Sequence, residues 1–232
     1  LFVCTYYTVK VKTSNISNMK AALSTTTTIY DNKNQKAGSL YSQKGSFVEL
    51  SQISPYIQDA VIATEDRTFY KNPGFSVKGM ARAAISSVIH HGIVGGGSTL
   101  TQQLAKNALL TQKQTFSRKL EELFFAIEIN RVYSKKDILT MYLNNAYFGN
   151  GVWGVQDAAR RYFGKNASDV TVGEAATIAG MLRSPSYYNP IDNYDATLKR
   201  RATVLSLMVN NGKISEQDAN IAGESEISLV DN

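Results

Sequence analysis

The chain has 232 residues, 43% hydrophobic and 19% charged, which suits one large domain, or one domain plus an appendage, with a sizeable core. Its single cysteine excludes a disulfide scaffold, and two histidines leave little for a Cys/His zinc cluster. Lys plus Arg exceed Asp plus Glu by six, a mild excess that suits an anionic partner without choosing among nucleic acid, phosphate and a membrane surface.

The chain opens on the apolar run LFVCTYYTV. A membrane span needs about 20 such residues. The run, residues 1–9, therefore reads as the outer end of a truncated transmembrane anchor or as a buried strand. Residues 10–50 are polar and read as a linker, with a short hairpin over TTTTIYDNKNQKAGSLY. From residue 51 the pattern turns helical. Ser54-Pro55 supplies an N-cap and a first-turn proline, with Ile57, Ala60, Val61 and Thr64 at helical spacing. Ser76 caps a segment with Val77, Met80, Ala81, Ala84, Ile85 and Val88 on one face, which is either a core helix or a surface that dips into lipid. HHGIVGGG breaks it, and a helix follows from Ser98 to about Leu110. Further helices are predicted over about 115–132 and 135–145, within GVWGVQDAARRYFG and GEAATIAGMLR, and from about Asp192 to Gly212. RSPSYYNP reads as an extended break, and Ser215 opens a short last helix. The expected fold is mainly α.

Three segments carry candidate chemistry. In ATEDRTFYKNPGF, Glu65 and Asp66 end an apolar helix and run into an aromatic turn. A carboxylate against aromatic surface is desolvated and suited to proton transfer; alternatively, the two form a solvated pair at a helix end. In GGGSTLTQQLAKN, glycines permit close backbone approach and the helix start at Ser98 offers N–H groups to an anion. Thr99, Thr101, Gln102 and Gln103 add neutral donors, and Lys106 follows two turns on. The alternative is a loop with an ordinary N-cap. In FSRKLEELFFAIEINR, Phe116, Leu120, Leu123, Phe124 and Ile127 share an apolar face, with Arg118 and Glu122 four apart opposite it. The helix is apolar nearly all round, so the pair is expected inside. A buried ion pair stabilises poorly, which favours a functional role. His90-His91 has no nearby acid or cysteine and carries no metal site. Two carboxylates suggest glycosidic chemistry, and Lys106, Arg118 and Lys119 suggest that the leaving group is a diphosphate.

These stretches resemble the peptidoglycan glycosyltransferase domain (glycosyltransferase family 51) of bifunctional class A penicillin-binding proteins. EDRTFYKNPG resembles the family's first motif, GGSTLTQQ its second, RKLEELFFA its third, KKDILTMYLN its fourth and LRSPSYYNP its fifth, in order across roughly residues 50–210. The resemblance implies a lysozyme-like, two-lobed helical fold and polymerisation of lipid II into β-1,4-linked strands. The donor is the growing chain on undecaprenyl diphosphate, and the acceptor is the 4-hydroxyl of the lipid II GlcNAc. It implies Glu65 as general base and Glu122 as second catalytic carboxylate. Asp66, Ser98, Thr99, Gln102, Gln103, Lys106, Asn107, Arg118 and Lys119 are the implied substrate contacts. A divalent cation (Mg or Mn) at Glu122 stays open, and no other cofactor is expected. Implied partners are lipid II, the nascent chain, the membrane surface and the inhibitor moenomycin, but no nucleic acid. The implied place is the extracytoplasmic face of the bacterial membrane on a single-pass anchor.

Asn72 stands where the first motif usually has histidine, and Gln114 where some members carry arginine. Residues 51–222 would form the glycosyltransferase domain, and 223–232 the start of a linker to an absent transpeptidase domain. Ser17-Asn18-Met19-Lys20 fits a transpeptidase motif by letter only, since its companion motifs do not follow. A lysozyme-like hydrolase or lytic transglycosylase, and a non-catalytic membrane-anchored scaffold, are the competing readings.

Overall fold

A computed structural model describes residues 2–25, 29–30, 36–38, 44–89, 96–110 and 115–230. They are mainly helical and divide into two compact units, Leu1–Gln43 with Thr68–Tyr142 and Lys44–Arg67 with Leu143–Asn232. The mainly α, two-lobed expectation is met. His90-His91 and Gln114 lie outside the described residues, as does most of the stretch expected to form a hairpin. Within it, β1 (Ile29–Tyr30) and β2 (Lys36–Gly38) pair antiparallel, Ile29 opposite Gly38.

In the first unit, α1 (Phe2–Thr13) is a helix, not a strand. No helix among the described residues is long and apolar enough to cross a membrane. The helix α1 packs on α6 (Phe116–Val132): Tyr7 stacks on Phe124 at 5.6 Å and its hydroxyl stands 2.6 Å from Ser117 Oγ. Residues 14–25 also differ from a free linker. Ile16 and, on α2 (Met19–Ser24), Met19 and Leu23 are buried, while the Tyr133 hydroxyl donates to Ile16 O at 2.6 Å. Apolar side chains spaced three or four apart give this polar-looking stretch an anchoring face. Of α4 (Val77–Ile89), the apolar residues Val77, Met80, Ile85, Val88 and Ile89 are exposed, Val88 at 75%, so it is not the core helix that one alternative foresaw.

The second unit is built around α9 (Val172–Met181), buried along most of its length. Its small residues Ala175, Ala176, Ala179 and Gly180 let α3 (Pro55–Glu65) and α10 (Tyr194–Asn210) pack against it. A capping box of Thr171 and Glu174 starts α9, and Ser54 Oγ accepts from Tyr56 N to start α3 ahead of Pro55. The helix α8 (Val155–Phe163) joins them, and Gly212 follows α10 at φ +67°, as expected of a residue past a helix end. Ser184–Tyr188 turns rather than extends, with Tyr187 N and Tyr188 N both donating to Ser184 O. The tail expected as a linker is bound to this unit. The Arg201 guanidinium donates to Gly223 O and Ser225 O, both at 2.8 Å, at the end of α11 (Glu216–Glu224), and Ile227 is buried.

Lys20 Nζ lies 2.6 Å from Asp137 Oδ1, and this hydrogen bond holds the carboxyl below its ordinary 3.8. A depressed carboxylate stabilises the fold above its unfolded value and loses that contribution as pH falls through the folded value. Lys20→Met should therefore cost under about 1 kcal/mol at neutral pH, since the pair is partly exposed. The deficit should vanish well below about pH 4, read as urea midpoints across pH; a constant deficit contradicts the pairing.

Candidate functional site

The first unit supplies the polar cluster. Thr99 begins α5 (Leu100–Leu109) with a full capping box: its Oγ1 accepts from Gln102 N at 3.1 Å, and Gln102 Oε1 accepts from Thr99 N at 2.9 Å. Thr99, Thr101 and Gln102 are buried. Among the expected substrate contacts, Thr99 and Gln102 thus give the site its helix start more than their own side-chain surface. Ser98, Gln103 and Lys106 are half-buried and Asn107 is exposed. The Tyr142 hydroxyl holds Gln103 Oε1 at 3.0 Å.

The Lys119 ammonium joins this start to α6, donating to Ser98 Oγ and to Glu122 Oε1, each at 2.7 Å. Glu122 is only 3% exposed, whereas the Lys119 side chain is more than half exposed. The buried carboxylate is paired with a cation that still reaches solvent. The expected Arg118–Glu122 pair is not what forms. Arg118 Nη1 binds Glu121 Oε2 at 2.6 Å, and Lys10 Nζ of α1 reaches Glu121 Oε1 at 2.5 Å. That hydrogen bond to Glu121 raises the Lys10 ammonium's pKa. Arg118–Glu121 and Lys119–Glu122 each span three residues, a spacing that brings neighbouring side chains together on a helix. The buried face of α6 is accordingly Glu121, Glu122, Phe125, Ala126 and Ile129, while Phe116 is 81% exposed, the reverse of the apolar stripe expected.

Backbone contact fixes where Ser98 emerges. A Cβ on Gly97 would lie 2.2 Å from Gly79 O, and one on Gly79 2.5 Å from Gly97 O. Only two glycines let α4 and the chain before α5 touch.

The second unit holds Glu65 at the end of α3 and Asp66 as its C-cap, the latter buried. Arg200 Nη2 of α10 stands 3.9 Å from Glu65 Oε1, Arg200 Nε donates to Gly180 O at 3.4 Å, and its guanidinium lies 5.8 Å from the Tyr188 ring centre. Sequence reasoning passed over Arg200, which lies outside the five motif stretches, and over Glu121, one residue from Glu122. Among the described residues no group of three His, Cys, Asp or Glu could hold a metal ion. Glu122, bonded to an ammonium, does not fit a protein-held cation, and no step is derived through one.

Residues 32–209 match the family model described as Transglycosylase. Penicillin-binding protein 2a of Streptococcus pneumoniae is 49% identical over 228 residues, which cover 98% of this chain and 31% of that protein. Penicillin-binding protein 1F of Bacillus subtilis is 41% identical over 204 residues, 88% of this chain and 29% of that one. A crystal structure of Penicillin-binding protein 1A from Haemophilus influenzae aligns with a TM-score of 0.49 at 23% identity, over 88% of this chain and 21% of that one. The chain spans about a third of the length of these curated relatives.

Gly97→Ala should force the α4–α5 contact apart, costing about 1–3 kcal/mol in urea unfolding, whereas Gly151→Ala meets nothing within 4 Å and costs only its positive φ. Equal stability of Gly97→Ala and the parent chain would contradict the close approach.

Proposed function

Because the chain belongs to the Transglycosylase family, as a glycosyltransferase domain of the penicillin-binding-protein kind, we propose that it polymerises lipid II into β-1,4-linked glycan strands. The observation that carries this reading is the Ser98–Lys119–Glu122 cluster at the start of α5. Oxygens that gain negative charge as a diphosphate departs need donors already in place. A helix start, a hydroxyl and a half-exposed ammonium are such donors. Hydrolysis of a neutral glycan has no comparable demand.

In the proposed reaction the acceptor 4-hydroxyl forms a bond to the donor's anomeric carbon while the bond from that carbon to the diphosphate oxygen breaks. Glu65 takes the hydroxyl proton, and the electron pair of the broken bond leaves on the diphosphate. Attack from the side opposite the leaving group inverts the anomeric centre without a covalent enzyme intermediate. Lys119, Lys106 and Arg118 balance the leaving charge; Arg118 does so while bonded to Glu121. Asp66 assists Glu65 electrostatically. Ser98 and Gln103 contact phosphate and sugar, Thr99 and Gln102 hold the helix start, and Asn107 lies at the substrate's edge. The chain works at the extracytoplasmic face of the bacterial membrane, with the exposed apolar side of α4 against lipid and moenomycin competing for the donor's place.

Labelled lipid II tests the reading: the wild-type chain forms strands. No strands from a folded protein, or release of fragments from finished peptidoglycan instead, would reject it. Glu65→Gln should lower turnover by at least about a hundredfold while lipid II still binds. Substantial turnover in that variant would remove Glu65 from the base role.

A further inference from the structure

We propose that Lys135 is a positioning residue for the start of α5, acting through the turn at Asn72–Gly74, and so sets how tightly substrate is held there. This rests on the reading of α5's start as part of the diphosphate site.

Lys135 opens α7 (Lys135–Asn145), and its ammonium is turned back onto the first-motif loop. Nζ donates to Asn72 O at 2.7 Å, stands 3.4 Å from Asn72 Oδ1, and lies 4.9 Å from the centre of the Phe69 ring. A cation at a helix N-terminus opposes the helix dipole, so the helix itself gives no reason for lysine here. The bonds to the loop do. Asn72 Oδ1 accepts from Gly74 N at 3.0 Å, closing a turn that gives Gly74 φ +95°. A Cβ on Gly74 would lie 2.7 Å from Ala126 O, so α6 also presses on this turn.

Gly74 O then accepts from Thr99 Oγ1 at 2.7 Å, and Thr99 is the N-cap of α5. The links run without a gap from Lys135 through Asn72, Gly74 and Thr99 to Gln102. Asn72, Thr99 and Gln102 are all buried, so water does not substitute for a broken link. An ammonium–carbonyl bond at one end thereby orients the residues that flank Ser98 at the other.

Lys135→Met keeps chain length and removes the donor, and Lys135→Arg restores one. Lys135→Met should raise KM for lipid II about tenfold and change kcat by less than about twofold; the arginine variant should recover most of the loss. Combined with Thr99→Val, which cuts the same chain, the KM effect should not exceed that of the larger single change. Amide exchange over residues 99–103 should quicken about tenfold in Lys135→Met, with residues 116–132 unchanged. Exchange needs no turnover, so a wild-type chain that makes no strands would sink the functional reading and leave this inference measurable. Unchanged exchange at 99–103, additive KM effects, or faster exchange throughout the first unit would overturn it.

Discussion

A carboxylate inside a helical unit must keep a cation beside it, and much of the first unit follows from how Glu122 keeps Lys119. Taking one partner away strands the other charge in a low-dielectric interior, at a cost of about 3–5 kcal/mol. Lys119 therefore stays, and in staying it also binds Ser98, which ties α6 to the start of α5. One turn away the same logic repeats with Glu121, held by Arg118 and Lys10, so that α1 is fastened to the helix bearing the second carboxylate. A cation committed on its buried side to Glu122 can still meet an anion on its solvent side.

The second unit handles its carboxylate differently. Glu65 ends α3, whose apolar side is fixed against α9, and Arg200 of α10 stands 3.9 Å from its carboxylate.

The sequence showed helices best where caps marked them. Ser54-Pro55 and Ser215 start helices as expected, the start expected at Ser98 falls one residue on with Thr99 as the cap, and Gly212 follows the end of α10. It misled where charge, rather than apolar periodicity, decides which face is buried. On α6 the two glutamates lie inside and Phe116 outside, because the glutamates bring their own cations and the apolar stripe does not count them. Residues 10–50 and 223–232 read as linkers, yet a few well-spaced apolar residues such as Met19 and Ile227 are buried within them. Of the candidate site, Ser98, Lys119 and Glu122 were legible from their motifs and do come together. The partner of Arg118 was misassigned because reach at three residues competes with reach at four, and sequence spacing cannot choose. Lys135 and Arg200 were not singled out, since each matters through a contact distant in sequence.

The proposed reaction needs the Glu65 carboxylate and the Lys119 ammonium on the same chain. Mixing two inactive variants tests it: Glu65→Gln, which lacks the base, with Lys119→Met, which lacks the shared cation. With the wild-type chain polymerising under the same conditions, the account predicts that the mixture forms no glycan strands from labelled lipid II. Strands restored by mixing would show that the two groups act on separate chains or separate steps, and would contradict it.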